Sequence, residues 1–66
     1  MILVMQRNHT ETDLDETIGR VEGLGLKANV IVGTERTVIA AVGDERDGYK
    51  ETLEACPGVA EVLPIL

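Results

Sequence analysis

Apolar and polar positions along the chain separate into six blocks of two kinds. Met1-Ile2-Leu3-Val4-Met5 is a short apolar run that breaks at Gln6-Arg7-Asn8, the pattern of a strand leaving a sheet. Thr10-Glu11-Thr12-Asp13 then offers capping side chains, and acids at 11, 13, 15 and 16 suit the positive end of a helix dipole. The helix predicted there places Leu14, Ile18, Val21 and Leu24 or Leu26 on one stripe, with Gly25 as its stop. Gly19 and Gly23 each weaken it by up to about 1 kcal/mol, so tertiary packing has to hold it. A glycine on its buried side would also let it approach a sheet closely.

Lys27 to Val32 and Thr37 to Val42 are rich in β-branched and apolar residues, and Gly33-Thr34-Glu35-Arg36 between them suits a hairpin. These two segments are expected to be antiparallel neighbours. A second helix is expected to begin within Asp44 to Asp47, to turn Tyr49, Leu53 and the Ala55-Cys56 pair inward, and to end at Pro57-Gly58. Val59 to Ile65 reads as a last strand, with Pro64 marking a sheet edge because proline cannot donate to a ladder. Strand, helix, strand, strand, helix, strand is the split β-α-β sandwich: an α+β fold in which two helices cover one face of a four-stranded antiparallel sheet.

A sheet covered on one face should alternate apolar with polar residues. The first and third strands do not: Met1, Leu3 and Met5 oppose Ile2 and Val4, Thr37, Ile39 and Ala41 oppose Val38, Ala40 and Val42, and both sets are largely apolar. A partner is therefore expected on the face without helices, either a second copy of the domain or another domain of the same polypeptide. Alternation does not say which face is covered. The reading assigns Leu3, Ile39, Ala41 and Leu63 to the open one, as an apolar patch of the sort that marks interfaces.

Sixty-six residues make one domain, and a chain this short buries only roughly 60% of its unfolded surface. Cys56 is the single cysteine, so no disulfide can close within the chain, and neither a four-thiolate cluster nor a zinc ribbon can form. A free thiol and the lack of a basic leader or a long apolar span point to a cytoplasmic location away from membranes. Twelve acidic against six basic residues give a formal net charge of −6, and Tyr49 is the only aromatic residue, which disfavours nucleic-acid partners.

The chain offers little chemistry of its own. A Cys56 nucleophile would need a base, and the only histidine, His9, lies far away in a polar loop. The carboxylates Asp13/Asp15/Glu16 and Asp44/Glu45/Asp47 are expected at helix starts as solvated caps, and the second group lacks the glycine and terminal glutamate of an EF-hand loop. No glycine-rich phosphate loop follows a strand. No cofactor is expected in this domain.

One stretch is more specific. Gly33-Thr34-Glu35-Arg36-Thr37-Val38-Ile39-Ala40-Ala41-Val42-Gly43-Asp44 closely resembles the Gly-x-Glu-Arg-Thr-x-Ile-x-x-x-Gly-Asp segment of the N-terminal ferredoxin-like domain in one subgroup of DAHP synthases. The resemblance extends from the Met1-to-Met5 run through Gly25-Leu26 to the closing Pro57-to-Leu66 segment. It implies a parent enzyme of the shikimate pathway, which opens aromatic amino acid biosynthesis by condensing phosphoenolpyruvate with erythrose 4-phosphate on a metal-dependent (β/α)8 barrel. The metal and substrate sites would belong to that barrel.

The resemblance further implies regulation, with an aromatic amino acid bound as such domains pair and the pair obstructing the barrel. Positions matching Asn29 and Ile31 supply polar contacts in the family; Asn29 keeps that capacity and Ile31 does not, so phenylalanine, or no effector, is expected over tyrosine. Arg36 is read either as an ion-pair partner of Glu35 or as a contact to the barrel or a ligand carboxylate. A free-standing ACT-like amino-acid-binding module of another enzyme shares the topology and stands as the alternative. An acylphosphatase-like enzyme would need a placed Arg and Asn, for which Arg7 and Asn29 are generic candidates.

Overall fold

The computed structural model describes residues 1–65. The elements run β1 (Ile2–Met5), α1 (Glu11–Gly23), β2 (Lys27–Val32), β3 (Thr37–Val42), α2 (Tyr49–Glu54) and β4 (Val59–Leu63). All neighbouring strands are antiparallel, in the order β2-β3-β1-β4. This is the split β-α-β sandwich that the pattern predicts.

Local chemistry sets the ends of α1. Thr10 is its N-cap: the Thr10 hydroxyl accepts from Asp13 N at 3.0 Å, and Thr10 N donates to Asp13 Oδ2 at 3.1 Å. This reciprocal capping box satisfies two of the helix's orphan donors. The buried stripe consists of Thr17 and Val21, flanked by half-buried Leu14 and Ile18. Thr17 is tolerated there because its hydroxyl donates to Asp13 O at 2.8 Å, leaving no polar atom unpaired. Gly19 and Gly23 face solvent with nothing within 4 Å of a would-be Cβ, so neither mediates the expected close approach to the sheet.

The second helix is shorter than the sequence suggests. Asp44 to Asp47 form an exposed connection, and α2 starts only after Gly48, whose φ of 91° no helical residue adopts. No apolar side chain in that connection could anchor a turn against the sheet. Tyr49 and Leu53 do face inward: Leu53 is fully buried, and the Tyr49 hydroxyl donates to Leu24 O at 3.2 Å, tying α2 to the end of α1. Similarly, β4 stops at Leu63, one residue before Pro64.

The core lies between helices and sheet. Met1, Leu3, Met5, Ile39, Ala41, Val59 and Val62 meet Val21, Leu26 and Leu53 there. Leu3 and Ile39 are paired across β1 and β3 and are fully buried. Thus the assignment of Leu3, Ile39 and Ala41 to the open face is corrected: all three lie under the helices, because the core takes the odd-numbered residues of both strands. Leu63, paired with Ile2, does lie on the open face.

Candidate functional site: the open face of the sheet

Strand register defines the face that no helix covers. Ile2 pairs with Ala40 and Leu63, Val4 with Val38 and Glu61, Asn29 with Ala40, Ile31 with Val38, and Lys27 with Val42. Directly opposite residues point to the same side, so these ten side chains share one face. Seven are apolar, and Ile31, Val42 and Leu63 are 56%, 51% and 43% exposed. Only Lys27 and Glu61 bring charge, at the two edge strands; the remaining acidic residues lie on helices and connections. A strongly acidic domain therefore keeps one nearly uncharged, apolar surface.

Both candidate ligand residues sit on this face. Asn29 and Ile31 are exposed and two apart on edge strand β2. Neither residue lines either of the two best-formed clefts. These, of about 320 and 230 Å3, open elsewhere: the first among Met1, Glu45, Arg46, Lys50 and Leu63, the second among Glu16, Arg20, Thr52 and Cys56. A small molecule held at Asn29 and Ile31 would need a second surface to enclose it.

The structure separates the remaining candidates. Arg36 is exposed at the hairpin's end and makes no ion pair among the described residues; Glu35 instead approaches Arg7, with Nη2 3.9 Å from Oε2. Both of those side chains are more than 70% exposed, so the contact is worth at most about 1 kcal/mol. His9 is half-buried and donates through Nδ1 to Gln6 O at 2.6 Å, and the Cys56 thiol faces Thr52 O at 3.7 Å. Among the described residues no three His, Cys, Asp or Glu side chains converge on one point. Asp44, Glu45 and Asp47 do not cluster, and Glu45 instead reaches the Met1 amino group at 3.2 Å. Among the described residues no such set fits the divalent metal that the resemblance attributes to the barrel.

The two glycines that bracket the resembling segment have structural roles. A Cβ on Gly33 would lie 2.8 Å from Arg36 O, inside the hairpin's closing hydrogen bond. Gly43 has φ 146°, and a Cβ there would meet Leu26 Cδ2 at 2.9 Å. Leu66, the last residue of the resemblance, lies outside the described residues.

The model of the DAHP synthase ferredoxin-like domain matches residues 1–66. The chain belongs to this family. A phospho-2-dehydro-3-deoxyheptonate aldolase from Thermotoga maritima is 33% identical over the entire chain, which spans 20% of that relative's length. The crystal structure of a Thermotoga maritima DAHP synthase superposes on 98% of the chain with a TM-score of 0.88 and 32% identity, again over 19% of that protein. The chain thus corresponds to about a fifth of the enzymes it resembles. Within the ferredoxin-like domain family, sequence reasoning missed which side of the sheet is open. Ile2, Val4, Val38, Ala40 and Val42 were visible as an apolar surplus, but only register assigns them to that side.

Proposed function

We propose that this ferredoxin-like domain is the regulatory and docking module of a DAHP synthase, and that it acts through its open sheet face without catalysing a reaction itself. The observation that carries this reading is that seven apolar side chains from all four strands share a face that no helix covers. Exposed apolar surface of this kind marks interaction sites in soluble proteins. The partners under this reading are a second copy of the domain and the catalytic barrel of a parent enzyme; membership in the DAHP synthase domain family supports the existence of such a parent.

An aromatic amino acid would be enclosed at Asn29 and Ile31 only when a second surface closes over them. Binding and pairing would then be thermodynamically linked, each strengthening the other. The family's feedback inhibition would follow if the liganded pair obstructs the barrel. An ACT-like module of another enzyme is less well supported, since the family match covers the entire chain.

The test is sedimentation of the chain at rising concentration, with and without phenylalanine, beside Val38→Glu. Concentration-dependent association that phenylalanine strengthens and Val38→Glu weakens supports the reading. A clean monomer at high concentration, indifferent to the ligand, would remove it.

A further inference from the structure

The two edges of the sheet are built differently. Edge strand β4 is guarded: its register shifts between Val4 and Met5, it carries Glu61, and Pro64 follows it directly. These are devices by which proteins blunt an edge against pairing. Edge strand β2 has no register shift and no proline beside it. It is six residues long and pairs in unbroken register with β3 from Lys27–Val42 to Val32–Thr37. Only Lys27, at its start, is charged.

The distal half of β2 is also poorly covered on both sides. Val30 and Val32 stand on the helix side of the sheet, opposite Ile39 and Thr37, yet are 39% and 76% exposed, because the helices stop short of this corner. Ile31 is exposed on the other side. Three consecutive β-branched residues thus end an unguarded edge.

Which backbone groups face outward follows from the ladder. Met1 and Ala41 exchange both backbone bonds, at 2.9 and 3.0 Å, so on β3 residues 37, 39 and 41 bond towards β1 and residues 38, 40 and 42 towards β2. The Gly33 N to Arg36 O bond at 2.9 Å fits the same alternation. Lys27, Asn29 and Ile31 therefore use their backbone groups on β3. Ala28, Val30 and Val32 turn theirs outward.

We propose that β2 is a self-pairing edge: two copies of the chain join β2 to β2, antiparallel about a two-fold axis at Val30, into one continuous eight-stranded sheet. In this register Val30 faces Val30 of the second copy, and Ala28 faces its Val32. All three residues with outward-turned backbone are matched to one another, each pair able to exchange two bonds. The side chains agree as well. The most exposed valine moves beside the small Ala28 of the other copy, on the helix side of both, while Asn29 and Ile31 of the two copies become neighbours on the open face. No charged pair is set directly opposite another. The self-complementarity of this register is what selects a second copy as the occupant. The contact is of the small, transient class, below about 1,200 Å2, and forms at high protein concentration. It uses a different surface from the proposed docking face and leaves that face free.

The experiment follows amide hydrogen exchange of the 66-residue chain by NMR as concentration rises, beside Val30→Lys, Val30→Glu and their equimolar mixture. Slowing of exchange at Ala28, Val30 and Val32, with Asn29 and Ile31 protected throughout, is expected. Like charges directly opposite should abolish the dimer in each variant alone, and the mixture should restore it. Exchange at those three amides that ignores concentration would overturn the proposal. So would a dimer that survives Val30→Lys, or variants that fail to complement. Val38→Glu separates the two readings: it disrupts the docking face but should leave the edge protection intact.

Discussion

Ile2 lies directly across from Leu63 in the β1–β4 ladder, and both side chains leave the sheet on the side without helices. One residue further, Leu3 pairs with Val62 and both are buried beneath the helices. Adjacent residues of nearly identical character thus serve different ends: one pair stabilises the domain, and the other is available to a partner.

The two faces should therefore respond differently to truncation. Leu3→Ala removes a fully buried side chain and should cost about 2–5 kcal/mol. Ile2→Ala empties a half-buried position on an open face and should cost about 1 kcal/mol. Urea unfolding of both variants checks the order, and equal losses would mean that the register of β1 is wrong.

Helix α1 offers a pair of opposite effects. Removing the capping hydroxyl with Thr10→Ala should destabilise by about 1 kcal/mol. Gly19→Ala should stabilise by about 1 kcal/mol, since the position is exposed, in mid-helix, and has room for a methyl group. Thermal melts of the two single variants should move in opposite directions.

The fold was legible because each element carries its own local signal. Thr10 and Asp13 mark a capping box, Leu14, Ile18 and Val21 keep one helical stripe, and Gly33 to Arg36 separates two β-branched runs. What local pattern could not supply was the side of the sheet on which the helices pack. Met1-Ile2-Leu3-Val4-Met5 is apolar at every position, so its alternation has no phase. That phase is set by nonlocal contacts such as those of Val21 and Leu53 in the core. The start of α2 was missed for a related reason: the acids at 44, 45 and 47 resemble a first turn, but nothing apolar among them packs. Asn29 and Ile31 could be proposed only by resemblance, and it is the pairing of β2 with β3 that sets them on the open face.

Gly43 should tolerate no side chain. Gly43→Ala forces a Cβ to within 2.9 Å of Leu26 Cδ2 at a φ of 146°, so Leu26, itself buried, must shift. A loss of about 1–3 kcal/mol is expected. Gly19→Ala is the matched control, and a neutral Gly43→Ala would show that the β3 exit is looser than described.

The most direct test of the docking account is calorimetric titration of phenylalanine and tyrosine into the chain at a concentration where it self-associates, with Ile31→Ser in parallel. An enclosed hydroxyl without a partner costs about 1–3 kcal/mol, and Ile31 offers none. The account predicts that phenylalanine binds in preference to tyrosine, that binding strengthens self-association, and that Ile31→Ser moves the preference towards tyrosine. Tight tyrosine binding by the natural sequence, unchanged in Ile31→Ser, would contradict it by placing the effector away from the open face at β2.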